Sequence, residues 1–123
     1  PEGYEPDKEI LSTAQAESTA PITLTTDPKE AVKSADVINT DVWASMGQEE
    51  EVSKRRKVFA PYQINKALLA TAKTDAIVLH CLPAHRGEEI SEAVLEGPHS
   101  VVWDQAENKM HLHKVVLEWA MGL

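Results

Sequence analysis

The chain has 123 residues, with 12 Lys and Arg against 20 Asp and Glu and a formal charge of −8. That length suffices for one domain and one core, and the acidic balance disfavours nucleic acid and anionic membranes, which require basic patches. A single cysteine excludes an internal disulfide framework, no apolar stretch approaches the roughly 20 residues of a membrane helix, and the polar start carries no signal segment, so a cytoplasmic globular piece is expected.

In chain order, Asp7 caps a helix running through Ile10, Leu11, Ala14 and Gln15 towards Ser18. Ile22-Thr23-Leu24-Thr25 is a short β-prone run. Asp27-Pro28-Lys29-Glu30 reads as a helix start, with an acidic cap, proline in the first helical position and Glu three residues after the cap. That helix reaches about Ser34 and is followed by a strand, Asp36–Thr40. Glu49-Glu50-Glu51 followed by Lys54-Arg55-Arg56-Lys57 places acids early and bases late in one helix, matching its macrodipole. Pro61 separates it from a helix over Gln63–Ala72 with Ile64, Leu68 and Thr71 inward. The strand Ala76–Leu79, a short helix Ser91–Leu95 stopped by Gly97-Pro98, and a last strand Ser100–Trp103 follow. Asp104 then caps a long C-terminal helix, with Glu107 in the capping-box position. This alternation predicts an α/β fold: an open parallel sheet, doubly wound, with helices on both faces and right-handed crossovers.

Two strand ends stand out, because open α/β sheets bind ligands beyond the carboxyl ends of their strands. One leads into His80-Cys81-Leu82-Pro83-Ala84-His85-Arg86-Gly87, which holds the only cysteine. The other leads into Asp41-Val42-Trp43-Ala44-Ser45-Met46-Gly47. If the two strands are parallel neighbours, a carboxylate, a hydroxyl and a thiol surround one cleft. Each residue also has a plainer reading. A free cysteine is usually a small buried hydrophobe, Asp41 can be an ordinary turn residue, and Gly47 can serve a simple turn. His80, Cys81 and His85 are too close in sequence to converge on one ion, and a structural zinc site wants four spaced ligands, so no metal is expected. The basic run at 54–57 reads as a solvated helix end, and Trp43, Trp103 and Trp119 read as packing residues.

Taken together, Asp41-x-x-x-Ser45-Met46-Gly47, His80-Cys81-Leu82-Pro83 and Trp103-Asp104-Gln105-Ala106-Glu107-Asn108-Lys109-Met110 resemble the ornithine carbamoyltransferase family, in order and in separation. The resemblance runs from Pro1 to about Met110. It implies a Rossmann-like ornithine-binding domain that lacks its first strand, with residues 1–123 forming part of that domain and the carbamoyl-phosphate-binding domain absent from the chain. It implies Cys81 as the catalytic residue, lying against the reacting centre and the α-amino group of ornithine. Asp41, Ser45 and Met46 are the implied ornithine-binding residues; Cys81, Leu82 and Lys109 are implied on the carbamoyl phosphate side. In the family the Leu82 carbonyl contacts the carbamoyl nitrogen, and the peptide before Pro83 is expected to be cis. Lys109 departs from the family's arginine and loses the fork that binds an oxyanion in two places. A cation in the first turn of the last helix is also slightly unfavourable, by about 0.3–1 kcal/mol.

The implied reaction moves the carbamoyl group of carbamoyl phosphate to the δ-amine of ornithine, giving citrulline and phosphate in arginine metabolism. It needs no cofactor. The full-length family is expected to form homotrimers. The alternatives are a non-catalytic truncated fragment and a related carbamoyltransferase that uses putrescine or a modified ornithine. The phosphate-binding loop is missing, so the chain alone is expected to be inactive.

Overall fold

Two short parallel strands form the centre: β1, Val37–Thr40, and β2, Ile77–His80. The structure is a computed structural model describing residues 1–44 and 51–123. Val37 lies opposite Ile77, Ile38 opposite Val78, Asn39 opposite Leu79 and Thr40 opposite His80. Side chains alternate between faces along a strand, and burial follows that alternation. Ile38, Val78 and His80 point into the core, whereas Val37 and Ile77 stay partly exposed on the other face. The core face packs against α2 (Pro28–Val32), α4 (Lys66–Leu69) and α5 (Glu92–Leu95) through Val32, Leu68, Val94 and Leu95, with Ile64 and Ile90 from the connecting loops. The other face meets α6, Val102–Met121, which lies against β2. The architecture is therefore α/β with a parallel sheet between helices.

Side-chain caps set the starts of three helices. Asp7 accepts the amides of Glu9 and Ile10 at the head of α1, Lys8–Glu17. At α2, Asp27 accepts from Lys29 and Glu30 with Pro28 in the first turn, and Ser34 at φ 59° ends that stretch. Between β1 and α4 come α3, Val52–Phe59, and a 3-10 turn, Ala60–Tyr62. Arg56 and Lys57 occupy the last turn of α3, where the helix dipole favours cations. Glu49 and Glu50, expected in that helix, lie outside the described residues.

Several elements differ from the sequence expectation. Ile22–Thr25 forms no ladder among the described residues. The helix expected over Gln63–Ala72 shortens to Lys66–Leu69 because tertiary pairing claims its first residues. Ile64 exchanges backbone hydrogen bonds with Glu89 and Ser91, Gln63 donates to the carbonyls of Gly87 and Glu88, and Asn65 becomes the cap. Thr71 is exposed rather than inward. The strand Ser100–Trp103 shrinks to a single bridge between Ser100 and Val78, and α6 begins at Val102. Asp104 therefore sits inside the first turn instead of capping it, still where an acid suits the dipole. Trp43 stacks on Phe59 as a packing residue, but Trp103 and Trp119 are 56% and 80% exposed. Only Val102 of α6 is buried, and no helix of the described residues is long and apolar enough to cross a membrane.

Ile90 is fully buried at the junction of the sheet, α4 and α5. Ile90→Ala is expected to lower stability by about 2–5 kcal/mol, since a core truncation loses transfer energy and leaves a cavity. Ile10 is 70% exposed on α1, so Ile10→Ala should stay within about 0.5 kcal/mol. Urea unfolding midpoints of the two variants check both.

Candidate active site

Because Thr40 pairs with His80, the next residues on each strand, Asp41 and Cys81, leave the sheet side by side. The Cys81 thiol donates to Asp41 Oδ1 at 3.0 Å, and the Val42 amide donates to the same oxygen at 2.7 Å. Among the described residues Oδ2 accepts no hydrogen bond, and both side chains are exposed. The thiol's hydrogen bond holds the Asp41 carboxyl below its usual range, more than partial burial raises it, with help from the Val42 amide. The same bond, with desolvation and the carboxylate's charge, pushes the Cys81 thiol up, against a smaller pull from Lys109. At neutral pH the pair is therefore a protonated thiol beside a carboxylate. Such a carboxylate suits an ammonium group through charge-assisted hydrogen bonds.

Behind this pair lies a buried device that the sequence reading did not single out. His80 is buried, its Nδ1 accepts the Leu82 amide at 2.9 Å, and its Nε2 lies 2.9 Å from Glu89 Oε1. With Nδ1 accepting, the neutral ring carries its proton on Nε2 and donates to Glu89. Glu89 Oε1 also accepts the His85 amide at 2.7 Å, so one buried carboxylate braces both ends of the 80s loop. Gln105, in the first turns of α6, accepts the His80 amide at 2.9 Å. Leu82 is held at φ 53°, a left-handed conformation that costs a residue other than glycine about 1–3 kcal/mol and persists only when its surroundings enforce it. The His80 ring supplies that enforcement, and the Leu82–Pro83 peptide is cis, as expected. Glu89 was legible only as the second of two acids in the Gly87-Glu88-Glu89 turn. Its burial at 0% exposure distinguishes it from Glu88.

Cys81 opens onto a cleft of about 610 Å³ between β2 and α6, lined by Leu79, Gln105 and Lys109 among others. The structure thus brings Asp41, Cys81, Leu82 and Lys109 to one end of the sheet. Ser45 and Met46 lie outside the described residues. Since α6 starts at Val102, Lys109 falls beyond the first turn, and the expected dipole penalty does not apply there. Donor atoms of Asp41, His80 and Cys81 lie within 4.8 Å of one another. Both His80 ring nitrogens are already engaged, and His85 does not join the group.

The Asp41–Cys81 contact makes a reactivity prediction. Alkylation follows the thiolate, and Asp41 keeps the thiol protonated to higher pH. Asp41→Ala removes both acceptor and charge, so the thiol's titration moves down in pH and iodoacetamide alkylates Cys81 several-fold faster near pH 8. An unchanged pH profile would mean that the carboxylate does not hold the thiol.

Known proteins resemble this chain along nearly its whole length. The family described as aspartate/ornithine carbamoyltransferase, Asp/Orn binding domain, matches residues 1–120. The ornithine carbamoyltransferase of Desulfotalea psychrophila is 65% identical over 122 residues, which are 99% of this chain and 40% of that relative. Among solved structures, ornithine carbamoyltransferase from Pyrococcus furiosus superposes with a TM-score of 0.86 at 56% identity, covering 96% of this chain and 39% of its own. Anabolic ornithine carbamoyltransferase from Campylobacter jejuni superposes with a TM-score of 0.89 at 38% identity, covering 97% and 40%. The chain spans about 40% of the length of these relatives. A match that runs from the first residue to residue 120, on a backbone that both solved proteins share, makes this chain a member of the aspartate/ornithine carbamoyltransferase family, within its Asp/Orn-binding domain.

Proposed function

We propose that the chain is the ornithine-binding part of an ornithine carbamoyltransferase. The observation that carries this reading is the carboxylate and thiol held 3.0 Å apart at the ends of adjacent parallel strands, beside a cleft with a lysine on its wall. Asp41 binds an amino group of ornithine, with Oδ2, which accepts no hydrogen bond among the described residues, as the acceptor. Cys81 lies against the α-amino group and the reacting carbon. The Leu82 carbonyl, set by the His80 ring, meets the carbamoyl nitrogen, and Lys109 faces the phosphate side. Ser45 and Met46 extend the site towards the α-carboxylate.

In the reaction the neutral δ-amine attacks the carbonyl carbon of carbamoyl phosphate. A C–N bond forms, the amine sheds a proton, and the C–O bond to phosphate breaks with its electron pair on the leaving oxygen. Citrulline and phosphate result. Little covalent chemistry is asked of the protein, so positioning two substrates and balancing developing charge are the main contributions. Loop rigidity matters for that reason: His80, Glu89 and Gln105 act by positioning the Cys81–Leu82 turn, not by touching substrate.

The carbamoyl-phosphate-binding domain is supplied by sequence outside this chain, a homotrimer is the assembly, and the enzyme works in the cytoplasm without a cofactor. Two relatives named anabolic favour a place in arginine biosynthesis.

In the full-length enzyme, Asp41→Ala and Cys81→Ala should each raise the ornithine KM and lower kcat. Losing one charge-assisted hydrogen bond of about 1.5–3 kcal/mol corresponds to roughly tenfold or more. Lys109→Ala should act on the carbamoyl phosphate KM instead. Steady-state kinetics with each substrate varied separate these effects, and ornithine kinetics indifferent to both Asp41 and Cys81 would refute the site. The isolated 123-residue chain should form no citrulline when incubated with both substrates.

A further inference from the structure

The Asp41 turn belongs to no helix or strand. Asp41 Oδ1 accepts the neighbouring Val42 amide, a bond that orients the side chain but does not place the turn in space. The turn's near end is placed by the pairing of Thr40 with His80, and its far end by α3. Arg55 Nη1 donates to the Trp43 carbonyl at 3.0 Å, a contact between residues twelve apart in sequence, and the Trp43 ring stacks on Phe59 at 6.2 Å. The same guanidinium donates from Nε to Glu51 Oε2 at 3.0 Å and lies with Cζ 5.0 Å from the centre of the Tyr4 ring, which itself meets Phe59 edge-on at 4.9 Å. Its side chain is 19% exposed, against 56% for Arg56, which pairs with Glu88 across the surface.

We infer that Arg55 is a positioning residue for the diamino acid: through the Trp43 carbonyl it fixes the Asp41 turn, and so sets where the Asp41 carboxylate meets Cys81. The inference rests on the ornithine reading for its functional consequence, but not for its structural one. Arg55 makes three contacts in different directions from one rigid plane, two from separate nitrogens and one from its face. A lysine has no fork and no planar face, so it can keep the charge without keeping the arrangement. Trp43 is two residues from Asp41, so Arg55 restrains the far side of a turn whose near side is held by the pairing of Thr40 with His80. Misplacement of a binding group by about 1 Å can cost a hundredfold in rate.

The test uses the full-length enzyme with Arg55→Gln and Arg55→Lys. Both should move the pH profile of Cys81 alkylation downward, in the direction of Asp41→Ala, although Asp41 is still present. Both should raise the ornithine KM by about tenfold or more while the carbamoyl phosphate KM stays put. Should Arg55→Gln fail to fold, Arg55→Lys carries the same expectation, because it keeps charge and stem. An alkylation profile that stays at the wild-type position in a folded variant overturns the inference. A displaced profile with an unaltered ornithine KM upholds the positioning of Asp41 by Arg55 and counts against ornithine as the ligand there.

Discussion

The register of β1 against β2 is the constraint on which the site depends. Thr40 opposite His80 makes Asp41 and Cys81 neighbours beyond the sheet, and the side-chain period of two turns His80 inward while Cys81 faces out. A slip of one residue would reverse every side chain on the strand. It would place the imidazole in solvent and the thiol in the core. The apolar pair Ile38 and Val78, both buried, opposes that slip, so packing on the core face fixes the chemistry displayed at the strand ends.

The second constraint is the buried imidazole. Both ring nitrogens of His80 are engaged, one by the Leu82 amide and one by Glu89. A buried polar group without partners is costly, so this network has few other arrangements open to it. Its rigidity passes to a loop whose backbone enters the left-handed region at Leu82. The loop is braced again at its far end, where Gln63 holds the carbonyls of Gly87 and Glu88 and Arg56 pairs with Glu88. A binding site on a loop is imprecise unless supporting contacts lock it. Here α3, the Gln63 segment and α6 all contribute those contacts.

Opposite surfaces of the sheet are unequally finished. The face that carries Ile38 and Val78 is sealed by three short helices, whereas the other face meets a helix whose apolar residues remain largely exposed, Leu112 and Val115 among them. The cleft beside Cys81 lies on this less covered side. Apolar lining and a single lysine there provide a site wall in which electrostatic interactions are less screened than in open water.

Much of this was legible in the sequence, where the signal was local. Asp7 and Asp27 announced their helices because a cap requires only a short side chain and the next two or three amides. The strands at 37–40 and 77–80 were visible as β-branched runs, and three spaced motifs carried the family. What the tertiary structure alone decided was non-local. Gln63 and Ile64 left the helix because their hydrogen bonds went to residues more than twenty positions away. Glu89 became a buried brace while Glu88 stayed at the surface, although the two are chemically identical neighbours. Arg55, one of four consecutive basic residues, became the anchor of the aspartate turn because only its direction from α3 reached Trp43. Residue type and spacing determine which chemistry a chain carries; direction and burial arise only when distant segments pack, and they selected the members of each run that act.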